Sequence, residues 1–284
     1  MKKIFVSSNL NIELVSKYFD IVEKFDSNVD LAIQTDVSFS SCDLKKIKSS
    51  GIKLLGIERF NKIEQSRVLE NYNINHPKSY YNPKNFDPLN SIDLFNSYID
   101  LDEFVVKPIN GARGIGVKKI TREDYKKCLY DQKNIESIFS EERKFIEKHY
   151  DDIHSSYINS SFGALLFQEP IDVSREFRLI IFKNSTSIAY EREKTEGQFC
   201  GNLSHGSTSK NVDDKTFKKY LQPLINDFQK VMDDFSYPWL SIDVYVDKNE
   251  KVGVFEFQME FAYDGFSHIL VKETMKNSIE SYFK

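Results

Sequence analysis

Three groups of residues have the types and spacing for chemistry on a phosphate. The first is VVKPINGARGIGV (105–117), in which Gly111, Gly114 and Gly116 follow Lys107. Glycine lets backbone N–H groups approach an anion closely and turn where a side chain would clash. The pattern matches neither common phosphate fingerprint: Val117, not Lys-Ser or Lys-Thr, follows the last glycine, and the order is G-x-x-G-x-G rather than G-x-G-x-x-G. Apolar residues on both sides predict strand–loop–strand. A flap over a triphosphate, with Lys107 adding charge from the strand before it, suits that placement. A glycine-rich hairpin with a solvent-facing lysine would leave the same trace.

The second group is Asp243, Glu256 and Gln258. They interrupt two otherwise apolar runs, SIDVYV (241–246) and VFEFQM (254–259), which are joined by DKNEK and read as a hairpin. Period-two alternation puts Glu256 and Gln258 on one face of their strand. Two carboxylates and an amide oxygen meeting across neighbouring strands suit a hard cation such as Mg²⁺, which also contacts phosphate oxygens. Acidic residues on the wet face of an antiparallel pair are the plainer alternative. In runs this apolar, however, enclosed polar groups need partners.

The third group is REKTEGQFCGNLSHG (192–206), where Arg192 ends a strand and Asn202 lies in a polar loop. An arginine near a transferring phosphoryl group stabilises developing charge, and an amide orients oxygens; a long surface loop is the alternative. Upstream, LLFQEPI (165–171) offers backbone groups and the acid Glu169 to a base and ribose, and REFRLIIF (175–182) places Glu176 and Arg178 on one strand face. The five histidines, His76, His149, His154, His205 and His268, have no metal spacing, and only His205 lies beside a candidate site. No G-x-S-x-G elbow or Cys-His arrangement is present.

The elements that must position these groups follow from periodicity. KKIFVSS (2–8), DLAIQTDVSF (30–39) and GIKLLGIE (51–58) predict strands, with helices over 11–25 and around 42–48. This alternation implies a small parallel α/β unit. A helix over 62–74 and a polar, Pro- and Asn-rich connection at 75–90 come next. Strands are expected at 103–108, 116–120, 164–171, 175–182, 185–193, 239–246 and 252–257. Helix is expected within 122–160 and over 217–235, the latter with the apolar stripe Leu221, Leu224, Ile225, Phe228, Val231 and Met232.

At 284 residues, with 40% hydrophobic and 29% charged residues, the chain has an ordinary globular composition and length for two or three subdomain cores. The formal net charge of −4 gives no reason to expect a nucleic-acid partner. Three cysteines without metal spacing (Cys42, Cys128, Cys200), no signal-peptide pattern and no apolar run near the roughly 20 residues of a bilayer span point to a cytoplasmic protein with no membrane partner.

The order of these parts resembles the ATP-grasp superfamily, in particular RimK-like carboxylate–amine ligases. The resemblance runs over about 58–266 and is carried by VVKPINGARGIGV, FQEPI…REFRLIIF and REKTEGQFCGNLSHG. It implies an α/β and α+β fold in three parts: an N-terminal domain (1–75), a central subdomain with the flap and a helical insertion (76–172), and a C-terminal subdomain with the metal site (173–284). By the same likeness Lys62 and Lys107 are the two nucleotide lysines. Gln168, Glu169 and Ile171 border adenine, and Glu176 contacts ribose or adenine. Arg178, Arg192 and Asn202 lie on the phosphate side, and Asp243, Glu256 and Gln258 hold Mg²⁺, with Mn²⁺ as a substitute.

The implied reaction is ATP-driven joining of a carboxylate to an amine through an acyl phosphate. The carboxylate substrate is an amino acid, a peptide or a protein tail. A silent nucleotide-binding module and a kinase that stops at phosphoryl transfer remain open beside it. Three departures are visible. Gln258 stands for the family's Asn, MEFAYDGF (259–266) replaces its Ser-Pro-Gly turn, and 122–160 is longer than usual. Oligomeric state is not legible.

Overall fold

The computed structural model describes residues 1–7, 12–35, 39–56, 60–80, 101–109, 117–124, 165–193, 207–259, 261 and 266–284. Three sheets organise them. The first has the order β2-β1-β3-β4, with β1 at Lys3–Val6, β2 at Asp20–Val22, β3 at Leu31–Ile33 and β4 at Leu54–Leu55, and all its pairings are parallel. Helix α1 (Ser41–Ser50) crosses from β3 to β4. Its first turn is capped by Ser40, whose side chain accepts from the Asp43 N–H, and it ends at Gly51 in a left-handed conformation, φ 71°.

The helix expected over 11–25 does not form. Ile12–Val15 makes one 3-10 turn, and Asp20–Val22 becomes β2, pairing Ile21 with Ile4 and Val22 with Phe5. Apolar residues at helical spacing were present, but Ile21 and Val22 are β-branched, and the open edge of β1 offers them a ladder.

Helix α2 (Lys62–Asn71) starts at Asn61. That side chain accepts from the Ile63 and Glu64 N–H groups, while the Glu64 carboxylate accepts from the Asn61 N–H, a reciprocal capping box. The second sheet, β5-β8-β6-β7, is antiparallel throughout and consists of β5 (Ser79–Tyr80), β6 (Glu103–Pro108), β7 (Lys118–Thr121) and β8 (Leu165–Gln168).

The third sheet, also antiparallel, is ordered β11-β10-β9-β12-β13. Its strands are β9 (Val173–Phe182), β10 (Ile188–Glu193), β11 (Thr208–Asn211), β12 (Trp239–Asp247) and β13 (Val252–Gln258). One face carries Phe177, Leu179, Ile242, Val244 and Phe257, all buried, and receives α3 (Gln222–Asp234) with Phe228 against Phe257 at 5.6 Å. The single helix expected over 217–235 is broken into a short turn at Asp214–Thr216, a π-turn at Phe217–Leu221, and α3. Pro223 lies in the first turn of α3 and has no N–H to continue the ladder. The preceding Gln222 N–H instead reaches back to Phe217 O, five residues away.

Helix α4 (His268–Glu280), β2, β5 and β11 were not anticipated from the sequence. Val271, Met275 and Ile279 of α4 join a core that contains Ile4, Val6, Ile33 and Leu55 of the first sheet and the buried residues of the third. Phe5, between Ile4 and Val6, points the other way and packs with Ala32, Phe39 and Ile47 beneath α1. At the junction Gly56, φ 74°, donates its N–H to Ser236 O at 2.7 Å, and a Cβ there would lie 2.1 Å from Gln34 O. Trp239 is fully buried and its Nε1 donates to Met259 O at 2.9 Å.

Candidate active site

Strand register assembles the site. On the face of the third sheet opposite α3, Tyr190, Arg178, Asp243 and Glu256 lie in one row across β10, β9, β12 and β13. Beside that row, Arg192 pairs with Glu176, and on its other side Ser241 pairs with Gln258. A bulge next to Asp243 gives β13 one residue more than β12 there: Asp243 pairs with Glu256 and Val244 with Val254, so Phe255 has no partner in the ladder. Farther along the same face Phe261 meets Phe182 at 6.3 Å and Phe266 meets Tyr190 at 4.6 Å. The apolar end is thereby covered, and the charged end carries the site.

The charged groups are paired with one another. Arg192 donates through Nη1 to Glu176 Oε1 at 2.7 Å and through Nη2 to Asp243 Oδ1 at 2.9 Å. Arg178 Nε lies 2.7 Å from the same Asp243 oxygen, an ion pair without hydrogen-bond alignment. Its Nη2 donates to Asp243 Oδ2 at 3.3 Å and its Nη1 to Ser241 Oγ at 2.9 Å. Lys62 reaches from the first turn of α2 to Glu256 Oε1 at 3.3 Å. Burial works against the Arg192 charge, but the Asp243 and Glu176 carboxylates more than offset it and raise its pKa above the ordinary arginine value. Arg192 is therefore a fixed cation.

Across from this face stands the second sheet. Lys107 of β6 lies over the Phe255 ring at 5.0 Å, and that ring packs on Tyr245 at 4.6 Å. Tyr245 is buried because its neighbour in the ladder is Gly253, where a Cβ would lie 2.3 Å from the tyrosine ring. Its hydroxyl sits 3.4 Å from Asn75 Nδ2, and burial, with the nearby Glu169 and Asp247 charges, pushes its pKa well up.

Gln168 is 2% exposed. Its Nε2 donates to Ser79 Oγ at 2.8 Å, which turns Oε1 the other way, where it is buried with no hydrogen-bond partner among the described residues. Glu169 Oε1 accepts from the Lys78 N–H at 2.9 Å, and Ile171 is half-buried just before β9. Gly111, Gly114, Gly116 and Asn202, with His205, lie outside the described residues, as does most of the 122–160 segment.

The donor set suits a hard cation. Asp243 and Glu256 face each other in register, with Gln258 next along β13, giving two carboxylates and an amide oxygen on one face. Among the described residues no cluster of three or more His, Cys, Asp or Glu could hold a metal ion. Both carboxylates are held by cations of the kind a phosphate would attract. Sequence reasoning missed Ser241, Ser79, Tyr245 and Gln65. Ser241 and Tyr245 stand in an apolar run, which was the available signal, whereas Ser79 and Gln65 lie in polar stretches and find their partners on elements remote in sequence.

No family model matches the chain, and no curated protein matches it by sequence. Solved structures do. D-alanyl-alanine synthetase A from Vibrio cholerae aligns over 99% of this chain and 98% of its own, at 14% identity and a TM-score of 0.56. A carboxyaminoimidazole ribonucleotide synthase from Aspergillus clavatus, complexed with ATP, aligns over 99% and 77%, at 10% identity and 0.60. The ATP-grasp ligase PsnB, complexed with a minimal precursor, aligns over 98% and 99%, at 10% identity and 0.56. The element order, the three sheets and these whole-chain alignments establish that this protein has the ATP-grasp fold.

Proposed function

We propose that the protein is an ATP- and Mg²⁺-dependent ligase of the RimK-like kind, joining a substrate carboxylate to an amine with release of ADP and phosphate. The carrying observation is the interlocked set on one sheet face: Arg178, Arg192 and Lys62 against Glu176, Asp243 and Glu256. These residues come from four strands and one helix, and the fold is shared with ATP-grasp enzymes.

In this reading the nucleotide lies between the central (76–172) and C-terminal (173–284) subdomains, the 1–75 domain lies beside them, and the 111–116 glycines close over the phosphates. The buried Gln168 Oε1, unpartnered among the described residues, accepts the exocyclic amine of adenine, next to Glu169 and Ile171. Glu176, already held by Arg192, takes the ribose side. Lys107 approaches the phosphates from β6. Arg178 and Arg192, with Asn202, hold the oxygens of the transferring group.

Phosphates compete with Asp243 and Glu256 for these cations, so nucleotide entry frees both carboxylates, with Gln258, as metal ligands. Mg²⁺ supplies charge neutralisation along the triphosphate. A carboxylate oxygen attacks the γ-phosphorus as ADP leaves. The amine then attacks the acyl carbon, phosphate leaves, and an amide remains.

The test is ADP release from Mg²⁺-ATP with a panel of carboxylates and amines, including amino acids and peptides. Release that needs both partners supports the ligase. ATP binding without turnover across the panel would point to a silent module, and a stable phosphorylated product formed without amine would point to a kinase.

A further inference from the structure

Helix α2 has a buried polar face of which the proposed reaction uses only Lys62. Lys62, Gln65 and Ser66 lie on one side of it at helical spacing, and all three are buried although the rest of the helix is an ordinary amphipathic turn sequence. A buried amide requires a reason, because each unsatisfied polar atom there is costly.

Gln65, 3% exposed, uses both ends of its amide. Oε1 accepts the Phe257 N–H at 3.1 Å in a buried hydrogen bond, and Nε2 donates to Phe60 O at 3.0 Å. Phe257 lies between Glu256 and Gln258 on β13, two residues beyond the bulge at Phe255. Its N–H points away from β12 at the outer edge of the sheet, so no neighbouring strand takes it. The only main-chain donor between the two β13 oxygen ligands is thus anchored by a side chain from a helix nearly two hundred positions away (|i−j| of 192). The neighbouring Lys62–Glu256 pair comes from the same turn of α2, and the Lys62 N–H donates to Ile109 O at 3.1 Å where the glycine loop begins.

We propose that Gln65 is a positioning residue for the metal site: its amide fixes the backbone of β13 after the bulge and so sets where Glu256 and Gln258 present their oxygens. Asn75 holds the outer edge of β13 before the bulge, at Val252 and Val254, and Gln65 holds it after the bulge, where a one-residue slip would carry both ligands to the other face. The inference rests on the metal reading proposed above, and its test separates the two.

Binding of Mn²⁺ in the presence of a non-hydrolysable ATP analogue is followed by electron paramagnetic resonance for the full chain and for Gln65→Met, Gln65→Asn and Asp243→Asn. Nucleotide affinity is measured separately in EDTA. Gln65→Met keeps the volume without the amide, and Gln65→Asn keeps an amide one methylene too short. Loss of groups that orient metal ligands typically costs about 10- to 100-fold in metal affinity. We expect a loss in that range for both Gln65 variants, with metal-free nucleotide affinity within about twofold.

If Gln65→Met fails to fold, Gln65→Asn alone decides. Unchanged Mn²⁺ affinity in a folded Gln65 variant, even with a lowered Tm, overturns the proposal and leaves Gln65 a packing residue. If Asp243→Asn also binds Mn²⁺ as tightly as the unaltered chain, the metal reading itself falls.

Discussion

Asp243 is the most connected carboxylate of the site, held at one oxygen by both Arg178 and Arg192. Asp243→Asn keeps the shape but gives up the charge. Mg²⁺-dependent ADP release should fall below detection while circular dichroism stays unchanged; retained turnover would remove Asp243 from the site. Arg192→Met instead removes the buried cation that Glu176 and Asp243 share, while Arg178 stays on Asp243. Removing one partner of a buried pair costs about 3–5 kcal/mol, measurable by urea unfolding. If Lys107 meets phosphate as proposed, Lys107→Ala removes a charged hydrogen-bond donor, and nucleotide affinity by calorimetry should fall about tenfold or more. Residue types were legible in the sequence because acids and amides inside apolar runs stand out. Their pairing was not, since Lys62 meets Glu256 across 194 positions and no periodicity encodes that distance.

Elements were legible where one local preference dominated. β9, β12 and β13 are long apolar alternations, and the α3 stripe Leu224, Phe228, Val231 and Met232 is buried as its spacing demands. Elements set by tertiary pairing were not legible. β2 formed where a helix pattern met the open β1 edge, and β5 and β11 are short strands with little sequence signal of their own. Gly56 and Gly253 belong at this scale because each permits two elements to touch. Gly56→Ala forces a Cβ against a backbone carbonyl at a positive φ, neither of which can yield cheaply. Differential scanning calorimetry should show a lowered Tm, with a cost of about 1–3 kcal/mol or more. No drop would mean that the junction relaxes freely.

At the scale of the molecule, the first and third sheets share one apolar core, in which Ile4, Val6 and Leu55 are continuous with Phe177 and Val271. Within 1–75, Ile4, Val6 and Leu55 belong to that shared core, while Phe5, Ala32, Phe39 and Ile47 form a smaller cluster beneath α1. Acid should therefore act on the two sheets together. Glu191, on the α3 side of β10, is bound through both oxygens by Arg175 at 2.7 Å, and that hydrogen-bonded pairing lowers its pKa below the ordinary 4.5. Because the folded value is the depressed one, its stabilisation is full above pH 4.5 and is lost as pH falls through the lowered value. Urea midpoints between pH 6 and 3 should fall in this window, and Glu191→Gln should flatten part of the fall. The outer margin of β13 has a consequence of another kind. Asn75 accepts the Val254 N–H and donates its amide to Val252 O, while Gln65 takes the Phe257 N–H. These bonds leave that margin little to offer a stray strand, whereas the opposite margin, β11, is only four residues long and carries Lys210. One border is sealed by the Asn75 carbonyl and by the side-chain amides of Asn75 and Gln65, and the other is kept short and charged, two means of keeping copies of a sheet from adding to one another.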